Sequence, residues 1–400
     1  MSKNKRFIHF LIIFSLNVLL LIPNCSRNLA VNHVETEVNE EEAVILSDPL
    51  LIRAQEIASS LDDNMLAAQV MICSIDGRGK LPGYMKTILK EVPIGGVMLF
   101  SFNLNTTSEE IKSYIEETVS LITEVHNIPP FIAVDHEGGT VNRFINDFAY
   151  LPDASSYFDI LKTYGRDAAL LKIKEDSFKA GTEIRRLGIN MNFAPVAEPL
   201  IDENKSFLEK RSYGKDISFT SLAATAFAES MKQAGVLCVI KHFPVSAGDD
   251  PHYSASVLNL DKIALDRIIY PFFLFLYKGE ARAIMASHTK IPLIDSEITS
   301  LSSVILNTWL RGELGFNGII ISDDFSMTAA HQSDVKLNHI EAAVRSVAAG
   351  SDAILVWSPD IRRTHAAFLS ALKDGTLARE RLLDAAQRII YEKLLLGIMQ

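Results

Sequence analysis

Cysteine is scarce in this 400-residue chain: there are three, and none stands in a C-x-x-C pair. That count excludes a disulfide framework, and the spacing gives no sign of a cysteine zinc site. Glycine (20) and proline (14) are too few and too scattered for a collagen-like or low-complexity chain. No Lys/Arg cluster is present and the formal net charge is −10, a poor match to a phosphate backbone, so no nucleic-acid partner is expected. The first apolar run is not followed by G-x-G-x-x-G, and neither a Walker motif nor H-E-x-x-H occurs. These absences count against nucleotide binding, and neither a metal nor another cofactor is expected. What remains is a globular composition, 48% hydrophobic and 22% charged, which excludes disorder for the bulk of the chain.

The N-terminus reads as a targeting segment. Lys3, Lys5 and Arg6 precede an apolar run from Phe7 to Ile22, which is short for a spanning helix. Residues 1–24 therefore read as a secretory signal, with an uncleaved anchor as the alternative. Cys25 directly follows, and the junction resembles a bacterial lipoprotein signal, although Ile22, Pro23 and Asn24 are not the usual small residues. The resemblance implies acylation of Cys25, a lipid attachment to a membrane, and a periplasmic or cell-envelope location. Residues 25–48, with Glu35, Glu37, Glu40, Glu41 and Glu42, form a polar acidic tether. Cys73 and Cys238 lie inside apolar runs and are expected to be buried and reduced.

From residue 49 to 400, short apolar runs alternate with amphipathic stretches. Candidate strands cover 67–75, 95–100, 130–134, 189–193, 236–240, 282–287, 318–322 and 353–357. Unbroken apolar runs are the pattern of parallel strands buried on both faces. Helical patterns cover 108–125, 168–187, 219–233, 265–278, 301–314, 339–349 and 361–372, with a last helix from 377. Thr107 reads as a cap, followed by Glu109 and Glu110 in the first turn. Gly188, Gly235, Gly315 and Gly350 fall where helices end. The count of β/α units predicts an α/β fold, a single-domain (β/α)8 TIM barrel behind the signal and tether; a doubly wound open sheet is the competing arrangement.

Polar residues gather at the strand ends, where a barrel carries its active site. The third run ends in Asp135-His136-Glu137, the fifth in Lys241-His242, the sixth in Ser287-His288 and the seventh in Asp323-Asp324. Asp135-His136-Glu137-Gly138-Gly139-Thr140-Val141-Asn142-Arg143 resembles the D-Q-E-G-G-R-V-x-R motif of glycoside hydrolase family 3. Asn192-Phe193-Ala194-Pro195-Val196, Arg211-Ser212-Tyr213-Gly214, Lys241-His242-Phe243-Pro244 and Ser322-Asp323-Asp324 resemble further motifs of that family, in the same order. The similarity is strongest to its single-domain β-N-acetylhexosaminidases. It implies a cofactor-independent, monomeric retaining exo-β-N-acetylglucosaminidase acting on peptidoglycan-type or other β-linked glycans. A glycan-binding envelope barrel with weakened catalysis, a β-glucosidase and a GlcNAc phosphorylase are the alternatives.

By the same resemblance Asp323 is the nucleophile, and His252 is the acid/base with Asp250 as its partner. Alternation along an extended chain predicts that only one carboxylate of the Asp323–Asp324 pair faces the mouth, leaving Asp324 to orient a neighbour. The resemblance gives Asp135, Arg143, Arg211, Lys241 and His242 the task of binding the sugar. For Arg143 and Arg211 the alternative is an ion pair with Glu137 or a neighbouring acid. His288 takes a supporting role. Two departures stand out: the family's Gly-His-Gly after K-H-F-P is replaced by Val245-Ser246-Ala247 in a shorter loop, and Thr140 stands where the family has Arg.

Overall fold

Apolar residues without polar interruption need cover on both sides, and eight such runs form the strands of one parallel sheet. They are β1 Met71–Ser74, β2 Gly96–Leu99, β3 Phe131–Val134, β4 Met191–Asn192, β5 Leu237–Phe243, β6 Ala283–Ala286, β7 Ile319–Ser322 and β8 Ile354–Val356. The computed structural model describes residues 48–144, 148–248, 256–327 and 337–399. Neighbours follow chain order from β1 to β7, and β8 returns to pair with β1. The ring closes between β7 and β8, where Ser322 N donates to Ala353 O at 3.0 Å and Asp352 N to Ile320 O at 2.7 Å. This is the (β/α)8 barrel and not the open sheet. The signal and tether segment, Cys25 included, lies outside the described residues.

Several boundaries differ from the sequence pattern, each for a local reason. Residues 67–69 belong to the helix Asp63–Gln69, capped when the Asp62 carboxylate accepts from Met65 N; the apolar run there serves two elements. The helical stretch over 265–278 divides into Lys262–Ile268 and Tyr270–Lys278, because Pro271 begins the second helix rather than continuing the first. The segment Val304–Glu313 winds more widely than an α-helix, and Leu314 N bonds back to Trp309 O at 2.9 Å. β5 runs on through Lys241 and His242 to Phe243, so these two polar residues lie within a buried strand rather than beyond it. Thr107 caps the helix Ser108–His126 as its sequence predicts, accepting from Glu110 N. Cys73 and Cys238 are buried and free, on strands four places apart in the ring.

The seam between β7 and β8 is held from below by a buried carboxylate. Asp352 Oδ2 accepts from Ile320 N at 2.8 Å and from Arg311, while Oδ1 accepts from Arg381 Nη2 at 2.6 Å, with Arg388 3.5 Å away. Burial opposes the Asp352 charge, but these three guanidinium groups and the Ile320 amide outweigh it and lower its pKa.

Candidate active site at the mouth of the barrel

A cavity of about 220 Å³ opens at the C-terminal end of the strands, and its wall draws on residues at or just beyond the ends of all eight. Asp135, Arg143, Arg211, Lys241, His242 and Asp323 all border it. Six residues singled out in sequence, scattered over nearly half the chain, thus meet on one surface. Asp250 and His252 lie outside the described residues.

The β3 loop owes its path to two glycines. Gly138 and Gly139 have φ of +100° and +52°, and a Cβ on Gly139 would sit 1.9 Å from the Asp153 carboxylate. Only glycine fits such a close approach at positive φ. The turn brings Val141 back beside Gly138 and returns Arg143 to the mouth, where its Nη2 meets Asp135 Oδ2 at 2.7 Å. His136, between the two acids, points into the protein instead: its Nε2 lies 2.7 Å from Ala149 O, and burial pushes its pKa down to about 4.

Lys241 Nζ joins both acids of the loop, at 2.5 Å from Asp135 Oδ1 and 2.6 Å from Glu137 Oε1. Arg211 grips Glu137 with two bonds of 2.8 Å, and its guanidinium lies 4.6 Å from the centre of the Phe207 ring. Burial works against the Glu137 charge, but Arg211 and then Lys241 outweigh it and hold this carboxyl far below the usual range. Burial likewise opposes the charge on Lys241, which Asp135 and Glu137 more than restore. The Arg211–Glu137 ion pair, an alternative left open by the sequence, is therefore present, and Arg143 pairs with Asp135 in the same manner. Arg143, Arg211 and Lys241 face Asp135 and Glu137, which leaves one positive charge in excess on this wall.

His242 is held by a residue that sequence reasoning missed. Glu198 is fully buried; its Oε1 lies 2.6 Å from His242 Nδ1 and accepts from His242 N at 3.1 Å and Ser246 Oγ at 3.1 Å. Its other oxygen accepts from Ser246 N. Receiving the Nδ1–H fixes which ring nitrogen carries that proton. Glu198 also ties the end of β5 to the first residues of the loop that leads toward Asp250 and His252. The available signal was an acid inside the otherwise apolar run Phe193–Leu200.

Asp323 and Asp324 follow the end of β7, and both border the cavity. The expectation of opposite faces is not met, because the strand stops at Ser322 and alternation no longer applies. Their engagements differ all the same. Asp323 Oδ1 accepts the Asp324 amide at 2.9 Å, whereas the Asp324 carboxylate accepts from Trp357 Nε1 at 2.7 Å and from Ser326 N and Oγ at 2.8 and 2.7 Å. Asp323 N donates to Ala286 O at 3.0 Å, anchoring the turn to β6. His288 props it from behind, with Nε2 3.0 Å from Asp324 O and Nδ1 2.7 Å from Ser300 Oγ. Trp357 and Phe100 complete the wall.

Residues 62–391 match the Glycosyl hydrolase family 3 N terminal domain. A beta-hexosaminidase of Psychromonas ingrahamii is 31% identical over 288 residues, covering 71% of this chain and 81% of that protein. The glycoside hydrolase family 3 beta-N-acetylglucosaminidase structure from Paenibacillus sp. is similar with a TM-score of 0.77 at 26% identity, over 85% of this chain and 63% of that one. NagZ from Neisseria gonorrhoeae, solved with N-trifluoroacetyl-D-glucosamine, is similar with a TM-score of 0.66 at 26% identity, over 82% of this chain and 93% of that one. A match over residues 62–391, most of the barrel, makes this chain a member of glycoside hydrolase family 3.

Proposed function

We propose that the protein is a retaining exo-β-N-acetylglucosaminidase that removes terminal GlcNAc from β-linked glycans of the peptidoglycan type. The observation that carries this reading is the Asp323 carboxylate on a sugar-sized cavity, beside a fixed array of cations and carboxylates. The names of the relatives support the sugar. Asp323 attacks the anomeric carbon and forms a glycosyl ester as the bond to the leaving oxygen breaks. His252, oriented by Asp250, gives that oxygen its proton, then takes one from the water that cleaves the ester. Asp135, Arg143, Arg211, Lys241 and His242 orient the sugar, and prior pairing among them keeps their geometry from changing on binding.

The test is hydrolysis of nitrophenyl sugars by the full chain. The β-GlcNAc substrate should be preferred to the β-glucoside, and a 2-deoxy-2-fluoro sugar should label the peptide holding Asp323. Labelling at Glu137 would reverse the assignment of roles. We also propose export and acylation at Cys25, which the basic leader and acidic tether support. A palmitate analogue should mark the natural chain and not Cys25→Ala; equal labelling overturns this.

A further inference from the structure

Trp357 follows β8 and stands at the edge of the cavity, 39% exposed. Its ring stacks on Phe100 at 4.9 Å between centres and 21° between planes. Phe100 in turn stacks on Phe102 at 5.8 Å and 6°, and Phe102 is 44% exposed. The result is a row of three stacked rings, of which Trp357 and Phe100 border the cavity and Phe102 is exposed beyond its lining.

Single exposed aromatics are common and need no explanation. This one differs in being fixed. The indole N–H is taken by Asp324 Oδ2, and the Asp324 carboxylate is itself held by Ser326. With its one donor engaged, the indole offers a ligand only its ring surface. With its orientation set in advance, it loses little rotamer freedom when a ligand arrives. A rigid apolar surface in a polar mouth suits the C–H face of a pyranose. The cavity has room for about one sugar, so a second ring joined to the first must lie at the rim.

We propose that Trp357, backed by Phe100 and Phe102, is the platform for the second sugar ring of a β-linked glycan, and that Asp324 is its positioning residue. This rests on the glycosidase reading above, and it assigns Asp324 a task separate from the chemistry at Asp323.

The chain has two tryptophans, Trp309 and Trp357, and Trp309 packs against Phe243 with 5.4 Å between ring centres. Trp357 therefore becomes the sole reporter in a full-length Trp309→Phe chain. With Asp323→Asn added to prevent turnover, the β-1,4-linked GlcNAc disaccharide should shift and quench Trp357 emission, and GlcNAc alone should do so far less. By calorimetry on the Asp323→Asn chain, Trp357→Leu should weaken the disaccharide about tenfold and leave GlcNAc within about twofold. Phe102→Ala, at an exposed position, should give a smaller loss of the same selectivity and guards against misfolding of the Trp357 variant. Asp324→Ala should reproduce the Trp357 loss, and Asp324→Asn, which keeps an acceptor oxygen, should recover most of it. Equal weakening of both sugars would place Trp357 in the one-sugar site and overturn the platform, as would no weakening of either, or no binding of the disaccharide. A natural chain that hydrolyses no β-GlcNAc substrate while the disaccharide still shifts Trp357 would sink the glycosidase reading and leave the platform standing.

Discussion

Two buried carboxylates at opposite ends of the barrel are built from the same parts. At the mouth, Glu137 lies between Arg211 and Lys241; at the seam, Asp352 lies among Arg311, Arg381 and Arg388. In both, burial raises the cost of the charge and neighbouring cations more than offset it. The seam is closed on itself: Arg381 also donates to the carbonyls of Val347 and Ser351, and Asp352 also takes the Ile320 amide. The mouth network instead borders a cavity. A perturbed buried acid is thus no marker of chemistry by itself. What separates the two clusters is access to a ligand. Lys393 is a third case: buried, it donates to Gln69 Oε1 at 2.9 Å and lies 5.2 Å from the Phe131 ring centre, and burial pushes its pKa down to about 7.

The contrast breaks if the two ends respond alike to mutation. Asp323→Asn should lower kcat/KM by roughly 10⁴-fold or more, since an amide cannot form the ester, while the urea midpoint stays where it was. Asp352→Ala should do the reverse, costing about 3–5 kcal/mol of stability by leaving buried guanidinium groups uncompensated. Activity per folded molecule should not change; a matching fall in kcat for correctly folded protein would show that the seam and mouth are coupled.

Lys393→Met should stabilise the protein at neutral pH by roughly 1–4 kcal/mol, as apolar replacement of a buried charge often does. The sign follows from linkage: the folded pKa lies below the ordinary 10.5, so the unfolded chain binds the proton first. Stability is then greatest above that value, falls as pH drops toward about 7, and levels off below. Denaturant melts across this range should show the slope in the natural chain and its loss in Lys393→Met. Glu198→Gln combines both kinds of effect on a smaller scale. About 1–3 kcal/mol of stability should be lost because an amide cannot accept all four donors, and kcat/KM should fall as His242 and Ser246 lose their fixed partner. A change in stability alone would remove Glu198 from the site.

The fold was legible wherever burial on both faces left unbroken apolar runs, and all eight strands are found in or overlapping those runs. Glycines that must turn the chain at positive φ also showed through, as did the Thr107 cap. The helices Pro49–Ser60, Gly83–Glu91 and Ala154–Tyr164 were not read, since each carries only two buried positions. In the site, residues with an evident charge at a strand end were found. Glu198 and Trp357 were not, because the role of each is set by a partner elsewhere in the chain: Glu198 by His242, and Trp357 by Asp324 and Phe100. Local pattern does not encode such meetings.

The closing of β8 onto β1 has a consequence for how the protein comes into being. Ser358 N donates to Ser74 Oγ across 284 positions of sequence, at 2.9 Å, and the Trp357 side of the cavity exists only once that junction has formed. A chain emerging from the ribosome can lay down β1 through β7 and still present a pocket with a missing wall. Contacts of such long range carry a large loop-closure cost and slow folding. The cavity is complete only with the final strand in place, and ligand binding during refolding should report completion of the ring rather than collapse of its core.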